Sequence, residues 1–201
     1  MNDPMRYIDP RVEAALRQID RARFVPEVLR DDAYNDRPLP IGYGQTISQP
    51  RLVAYMTDLL KVGNGSRVLE IGTGSGFQTA LLLEIGCIVY SIEIFRELAE
   101  SAGKRLTELG YKGFHIRVGD GAKGWVEEAP FDAVIFTCAI REFPPEIIKQ
   151  LKVGGRAVYP HEMGMKTQNL MKAVKNESGE LDAEFATSVL FVPLLKSRSE
   201  E

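Results

Sequence analysis

The residues best suited to chemistry form a glycine-rich loop directly after a short apolar run. The run ends at Ile71, the loop reads Gly72-Thr73-Gly74-Ser75-Gly76, and an apolar helical pattern begins at Phe77. Glycine allows a tight turn and leaves the backbone amides open to a ligand at the start of the helix. We therefore predict that this segment, called the glycine loop below, binds a ligand and does more than connect a strand to a helix.

The spacing of the glycines narrows the choice of ligand. They follow the pattern G-x-G-x-G, so the third glycine is one place earlier than in the dinucleotide fingerprint, and no Gly-Lys-Ser/Thr of a P-loop follows. Glu70, two residues before the first glycine, would repel a pyrophosphate and suits a cation. The combination resembles the first motif of the S-adenosylmethionine-dependent methyltransferases, whose ligand carries a sulfonium and an ammonium group. We expect the cofactor site to include Glu70, Gly72, Thr73, Gly74 and Gly76.

Two further acidic residues end predicted strands. Glu93 follows Gly72 by 21 residues and ends the second strand, where a carboxylate is placed to accept hydrogen bonds from both ribose hydroxyls. Asp120 ends the third strand and is placed to bond the adenine amino group, while Gly121 allows close approach of the ring. An Asp-Gly pair alone is often only a turn, but its place third in order favours the ligand role. Glu93, Asp120 and Gly121 therefore join the predicted cofactor site.

The elements that must position these residues alternate between strand and helix from Arg67 onward. We predict strands over 67–71, 88–92, 114–118 and 131–137 and from 157, and helices over 77–85, 96–109 and 145–151. Such alternation predicts an α/β fold with a mostly parallel, doubly wound sheet that binds ligands beyond the carboxyl ends of its strands. The resemblance to the methyltransferases implies the Rossmann-like class I S-adenosylmethionine-dependent methyltransferase fold, and we expect a closing antiparallel hairpin over 169–174 and 186–192.

The chain before the sheet forms an N-terminal helical extension. Apolar residues at helical spacing predict one helix near 12–19 and another over 50–60, joined by a Gly/Pro-rich loop at 37–44. We expect a single methyltransferase domain over residues 1–201. Its parts are the helical and acceptor-loop extension (1–62), the Rossmann-like core (63–195) and a frayed tail (196–201).

A second motif lies between the two N-terminal helices. It reads Gly44-Gln45-Thr46-Ile47-Ser48-Gln49-Pro50. Together with the glycine loop, Glu93 and Gly119-Asp120-Gly121, it resembles the protein-L-isoaspartate (D-aspartate) O-methyltransferase family. The resemblance continues through segments at 128–133, 151–156 and 191–194 and covers nearly the whole chain from Phe24 onward. The Thr-Ile-Ser segment is its most specific part, because many methyltransferases share the glycine loop.

The resemblance implies methyl transfer from S-adenosylmethionine, leaving S-adenosylhomocysteine, to the free α-carboxylate of an L-isoaspartyl or D-aspartyl residue. The substrates are damaged proteins and peptides, and the methyl ester closes to a succinimide that reopens partly as normal aspartate. The resemblance also implies that Ser48 is the active-site residue, that Thr46 and Ile47 help to bind the acceptor, and that Gln45 lies against the cofactor.

The chemistry of the acceptor agrees with this implication. A carboxylate has a pKa of about 4, so at neutral pH it needs no general base and requires only placement. Hydroxyls of Ser48 and Thr46 are suited to hold one carboxylate oxygen, although Ser48 could instead serve as a plain helix cap. His115 falls inside the third strand and is better explained as a strand residue than as a base. His161, after the fifth strand, is a weaker case and could line the substrate mouth.

Two segments depart from the family pattern. Thr137–Pro144 stands where the family usually has a run of Ala ending in Pro, and Pro160–Gly164 stands where it tends to have Pro-Val-Gly. Both are expected to border the acceptor cleft. The alternatives are therefore a methyltransferase for another carboxylate or a small molecule, and a non-catalytic S-adenosylmethionine-binding module. The intact Thr46–Ser48 segment argues against the second alternative.

Composition excludes several classes of protein. A chain of 201 residues with a net charge of −3 fits one domain and lacks the basic surplus of a nucleic-acid binder. Residues 1–10 are polar and hold no signal-peptide core, and no apolar run approaches a membrane span. We expect a cytoplasmic monomer that binds no metal, nucleic acid or membrane. Cys87 and Cys138, both in apolar surroundings, are expected to be buried and reduced.

Overall fold

The computed structural model describes residue 5, residues 7–164 and residues 167–196. Within them, a small hairpin and a larger sheet carry the strands. The hairpin consists of β1 (Leu39–Gly42) and β2 (Gln45–Ile47). The sheet consists of β3 (Arg67–Ile71), β4 (Ile88–Glu93), β5 (Phe114–Val118), β6 (Phe131–Phe136), β7 (Leu151–Glu162), β8 (Gln168–Lys175) and β9 (Leu181–Val189). The helices are α1 (Pro10–Gln18), α2 (Pro50–Leu60), α3 (Phe77–Glu84), α4 (Arg96–Glu108) and α5 (Pro145–Gln150).

The order of the strands places a cleft at the centre of the sheet. The order is β5-β4-β3-β6-β7-β8-β9, with parallel pairing from β5 to β7 and antiparallel pairing of β8 and β9. The strand order reverses between β3 and β6, which is where doubly wound sheets bind their ligands. The predicted α/β fold class and the closing antiparallel hairpin are confirmed.

Both faces of the central strands are buried, which explains their continuous apolar sequences. One face of the sheet carries Val68 and Ile135, which pack with Met56 and Leu60 of α2. The opposite face carries Leu69 and Phe136, which pack with Ile147 of α5. Because side chains alternate along a strand, successive residues of β3 enter different layers.

Most predicted elements agree with the structure to within a residue or two, but three segments differ. The predicted irregular loop at 37–44 contains β1, and the turn to β2 holds Gly42, Tyr43 and Gly44 at φ values of 95°, 55° and 70°. Strand β7 begins six residues before the predicted start, and a register shift against β6 between Phe131 and Ala133 accommodates the extra length. Strand β9 spans Leu181–Val189, whereas the prediction was 186–192. It lies at the edge of the sheet, and its mostly exposed residues show no apolar alternation from which its start could be predicted.

The N-terminal extension shares a core with the sheet. Two 3₁₀ turns, Arg21–Phe24 and Glu27–Asp32, follow α1. Val12 of α1 and Val53 of α2 belong to one buried cluster with residues of α3. The predicted tail at 196–201 lies outside the described residues except at 196.

Two expectations about single features can also be compared with the structure. Cys87 and Cys138 are free and buried, as expected. In the described part of the chain, none of the helices has the length and apolar character required to cross a membrane.

Candidate active site

A cleft opens at the carboxyl ends of β3, β4 and β6. Its walls are the glycine loop, the segment Gln45–Ser48, the ends of β4 and β6, and the segment Phe191–Leu195. We call Gln45–Ser48 the acceptor arm. The two motifs singled out in the sequence, far apart along the chain, therefore face the same space.

The glycine loop leaves no room for a side chain at Gly72. Gly72 has a φ of 98°, and a Cβ on it would overlap the hydroxyl of Thr137. That hydroxyl donates to the carbonyls of Ile71, at 3.0 Å, and Gly72, at 2.6 Å. Gly74 has a φ of 53°, and a Cβ there would lie 3.4 Å from the side chain of Ile41 in β1. The bare backbone at Gly72 and Gly74, together with Thr73, lines the cleft as expected for a ligand-binding loop.

Gly76 has a different role from the two glycines before it. It is the N-cap of α3 with a φ of 85°, and a Cβ on it would lie 3.4 Å from Ala102 and Leu106 of α4. Its positive φ favours glycine and lets the chain turn into α3. Its contribution to a cofactor site is indirect, through the packing of this helix.

Glu93 presents a fixed carboxylate to the cleft. The residue is 5% exposed, and its two carboxylate oxygens accept hydrogen bonds from the backbone N–H groups of Gly74, at 2.8 Å, and Phe95, at 3.1 Å. A carboxylate has about four acceptor positions, so two remain for hydroxyl groups of a ligand. The arrangement links the end of β4 to the glycine loop and suits the predicted ribose contact.

Glu70 lies behind the glycine loop and away from the cleft wall. Its side chain is fully buried, and Oε2 accepts a hydrogen bond from Thr79 Oγ1 at 2.6 Å. Burial raises the pKa of Glu70 to about 7, against the opposing effect of the Thr79 and Ser91 hydroxyls. Ser91 also bonds Thr73 of the loop at 2.6 Å. This placement corrects the expectation of a direct contact with the cofactor: Glu70 supports the loop from below.

Asp120 and Gly121 divide their predicted role between them. Gly121 lines the cleft, and a Cβ on it would overlap the side chain of Ile71, so only glycine fits there. Asp120 accepts a hydrogen bond from the N–H of Ala122 at 2.9 Å and caps the short turn Gly121–Lys123. Asp120 therefore shapes the corner, whereas Gly121 forms the surface that faces a ligand.

The acceptor arm follows the hairpin turn and leads into α2. Gln45, Thr46, Ile47 and Ser48 all line the cleft. The N-cap of α2 is Gln49, which makes no side-chain capping bond. Ser48 thus precedes the cap position and, as a half-buried residue, lines the cleft.

Sequence reasoning assigned no role to two further parts of the cleft wall. Phe95 lines it, and its ring packs at 5.3 Å from that of Tyr43 in the hairpin turn. The segment Phe191–Leu195 is held by Ala139, which donates to Val192 O and accepts from Leu194 N, both at 2.8 Å. The family resemblance included residues 191–194, but their apolar sequence alone indicates no site.

The two segments that depart from the family pattern bond mainly to each other. Ile140 donates to Pro160 O at 2.9 Å and accepts from Glu162 N at 2.8 Å, and Arg141 pairs with Glu162 at 3.1 Å. His161 lies against the carbonyl of Arg141, away from the cleft wall. Only the start of the first segment, at 137–138, lines the cleft. The expectation that both segments border it is therefore wrong for 160–164.

The class of protein follows from this geometry. A cleft at the switch point of a doubly wound sheet, a glycine loop between strand and helix, and a carboxylate at the end of the next strand define a Rossmann-like S-adenosylmethionine-dependent methyltransferase. The bare loop backbone, the Glu93 carboxylate and Gly121 all line this cleft, and their chemistry is compatible with that cofactor. Among the described residues, none of the His, Cys, Asp and Glu side chains are grouped to hold a metal ion.

Comparison with known proteins gives the family. A model of the protein-L-isoaspartate (D-aspartate) O-methyltransferase family matches residues 4–199, and the chain belongs to this family. Protein-L-isoaspartate O-methyltransferase 2 of Syntrophobacter fumaroxidans is 51% identical over 93% of this chain and 76% of its own. Protein-L-isoaspartate O-methyltransferase 1 of Cupriavidus necator is 49% identical over 94% of this chain and 73% of its own.

Solved structures show the same fold. A protein-L-isoaspartate O-methyltransferase superposes with a TM-score of 0.85 at 27% identity over 92% of this chain, which spans 61% of that structure's length. A Plasmodium falciparum structure described as a putative protein-L-isoaspartate O-methyltransferase, in complex with S-adenosyl-L-homocysteine, has a TM-score of 0.79 at 24% identity. The alignment covers 94% of this chain and 91% of that one.

Proposed function

We propose that this protein transfers a methyl group from S-adenosylmethionine to the free α-carboxylate of L-isoaspartyl and D-aspartyl residues in damaged proteins. Family membership and the names of the relatives support the reaction. The observation that carries it is the meeting of the Thr46–Ser48 segment with the glycine loop in one cleft. A module that only bound the cofactor would have no use for an acceptor arm there.

The cofactor half of the cleft is assigned to residues that present backbone and one fixed charge. When bound, S-adenosylmethionine supplies an electrophilic methyl group carried on a sulfonium. Gly72, Thr73 and Gly74 offer bare backbone, and Glu93 offers the acceptor positions left free by its two backbone bonds. We assign Gln45 to this half as well, where Tyr43 O holds its side-chain amide at 3.1 Å.

The acceptor half needs to hold a carboxylate that is already ionised. Ser48 and Thr46 donate hydroxyl hydrogen bonds to one oxygen and leave the other free to attack. Correct placement of two reactants can lower the activation barrier by roughly 7–11 kcal/mol, so holding the carboxylate in position contributes strongly to the rate. Burial raises the pKa of the Cys138 thiol to about 12, so this cysteine in the cleft stays a thiol at neutral pH and does not compete as a nucleophile.

The remaining proposals concern the setting of the reaction. We propose that residues 1–201 form a single methyltransferase domain, in which 1–62 carry the acceptor arm and 63–195 form the Rossmann-like core with most of the cofactor site. The shared buried cluster of α1, α2 and α3 supports this division of labour within one unit. The net charge of −3 supports isoaspartyl proteins and peptides, rather than nucleic acids, as partners. We also propose that the protein is a monomer and that it acts in the cytoplasm.

The test is transfer of labelled methyl to an isoaspartyl peptide, with its normal aspartyl twin as control. The Ser48→Ala variant should lose about 30- to 1000-fold in rate, since one preorganised donor is worth about 2–4 kcal/mol. Its affinity for S-adenosylhomocysteine should change little, because Ser48 belongs to the acceptor half. Ser48→Thr keeps the hydroxyl and should retain partial activity.

The outcomes separate the reaction from the residue. Equal labelling of the two peptides by the wild type, or of neither, would exclude the repair reaction and favour another carboxylate acceptor. Specific labelling that Ser48→Ala leaves unchanged would preserve the reaction and remove Ser48 from it.

A further inference from the structure

The buried side chain of Arg21 is the strongest feature that the proposed reaction does not use. The residue is 2% exposed, and its guanidinium donates to the backbone carbonyls of Ala33, Arg37, at 3.1 Å, and Ser48, at 3.0 Å. It forms no ion pair with any residue that the structure describes. This cation is therefore satisfied almost entirely by carbonyl groups of the chain around the acceptor arm.

Burying a charged guanidinium costs free energy, so we expect the buried position of Arg21 to serve a purpose other than filling space. Removing a charge from water is unfavourable unless hydrogen bonds or an opposite charge compensate it. Here Nε has no hydrogen-bond partner among the described residues, and burial lowers the pKa of Arg21. An apolar side chain would fill the same space at lower cost. What an apolar side chain cannot do is hold several carbonyl groups at fixed distances from one another.

The carbonyl groups held by Arg21 come from both sides of the β1–β2 hairpin. Ala33 and Arg37 precede β1, whereas Ser48 follows β2. One guanidinium nitrogen, Nη2, donates to both Arg37 O and Ser48 O. Because the guanidinium is rigid and planar, these two bonds fix the distance between the backbone that enters the hairpin and the backbone that leaves it. The same group lies 5.7 Å from the ring of Phe77, which lines the cleft at the start of α3.

We propose that Arg21 is a positioning residue for the acceptor site. Its guanidinium holds the backbone of Ser48, and with it the Ser48 hydroxyl, at a fixed place relative to the glycine loop. It does not touch the substrate. The inference rests on the proposed function, because it assigns Arg21 a part in holding the isoaspartyl carboxylate.

The variants are chosen to separate positioning from folding. Arg21→Lys keeps the charge and most of the alkyl chain but loses the fork, and Arg21→Met also loses the charge. Arg23→Met is the matched control, since Arg23 lies two residues away with its side chain exposed. Misplacing a reacting group by about 1 Å costs roughly 100-fold in rate, so we expect a 10- to 100-fold lower kcat for Arg21→Lys. Peptide KM and S-adenosylhomocysteine affinity by calorimetry should stay within about threefold, and Arg23→Met should match the wild type.

The decisive measurement is a double-mutant cycle with Ser48→Ala. If Arg21 acts by placing the Ser48 hydroxyl, then Arg21→Lys should lower kcat much less when that hydroxyl is already absent. A general structural role would instead lower kcat by the same factor in both backgrounds. Thermal unfolding of all four proteins shows whether each is folded, and Arg21→Lys keeps the cycle usable where Arg21→Met unfolds.

The result also distinguishes this inference from the proposed function. A wild type that methylates no isoaspartyl peptide would overturn the function itself. A wild type that does so, combined with a normal kcat for Arg21→Lys or with fully multiplicative losses in the cycle, would overturn the role of Arg21 alone.

Discussion

Replacing Glu93 tests whether the carboxylate at the end of β4 binds the cofactor or only holds the glycine loop. In Glu93→Gln the charge is lost and one carboxylate oxygen becomes an NH₂ group. The amide can still be turned so that its oxygen faces the Gly74 N–H, but it offers the ribose hydroxyls fewer acceptor positions. A hydrogen bond to a charged group contributes about 1.5–3 kcal/mol. At 1.4 kcal/mol per factor of ten, this predicts about 10- to 150-fold weaker cofactor binding. Glu93→Ala should weaken it further, because no acceptor then remains for either ribose hydroxyl.

The assay is titration calorimetry with S-adenosylhomocysteine and S-adenosylmethionine. Both ligands carry the same ribose, so their affinities should fall by the same factor. Glu97→Gln is the control, since it removes one carboxylate from an exposed position four residues further along the chain. An analogue of S-adenosylhomocysteine that lacks both ribose hydroxyls sharpens the test, because it should bind the wild type and Glu93→Gln with nearly equal affinity.

Two results would refute this reasoning. If a folded Glu93→Gln protein binds both ligands within threefold of the wild type, Glu93 does not contribute to cofactor binding. An equal loss for the ligand and its dideoxy analogue would assign Glu93 to the loop and not to the ribose.

Two further predictions concern Glu70 and Tyr43. The pKa of Glu70, raised by burial to about 7 from an ordinary value of 4.5, means that the folded state holds this proton more tightly than the unfolded state. The free energy of unfolding should therefore fall by up to about 3 kcal/mol as the pH rises from about 4.5 to 7. Urea unfolding of the wild type should show lower stability at pH 8 than at pH 5, and this difference should disappear in Glu70→Gln. Tyr43→Ala loses the ring contact with Phe95, worth about 0.5–1.5 kcal/mol, and should release S-adenosylhomocysteine roughly 2- to 10-fold faster in stopped-flow measurements, whereas Tyr43→Phe should not. A pH slope that persists in Glu70→Gln, or an unchanged release rate for Tyr43→Ala, would contradict the respective interpretation.

The sequence predicts best those elements whose signals are local. Helix α2 has the predicted bounds Pro50–Leu60, because Pro at its first turn and the glycines after it mark both ends. The glycine loop is equally local, since the strand, the turn and the helix are adjacent in the chain. These signals suffice for the fold class and for the position of the cleft.

The burial of Glu70 could have been inferred from the period of the strand. Side chains alternate along β3, so Glu70 shares a face with Val68, which is fully buried, and that face meets Thr79 of α3. The spacing of Glu70 to the first glycine does not by itself reveal which face of the strand its side chain occupies. By contrast, nothing local indicates that Phe191–Leu195 pairs with Ala139 to close the cleft, because that contact joins distant parts of the chain.

The two walls of the cleft are joined by one cluster of aromatic and basic side chains. The rings of Phe24 and Phe77 meet edge to face at 5.6 Å, with the Arg21 guanidinium 5.7 Å from Phe77 and the Arg105 guanidinium 6.0 Å from Phe24. Arg21 holds the acceptor arm, whereas Arg105 donates to the carbonyl of Ser75 in the glycine loop at 2.8 Å. The distance between the arm and the loop is thus set by a packed cluster before any ligand arrives. Because binding then orders fewer groups, more of the interaction energy remains for holding the acceptor carboxylate in line for attack.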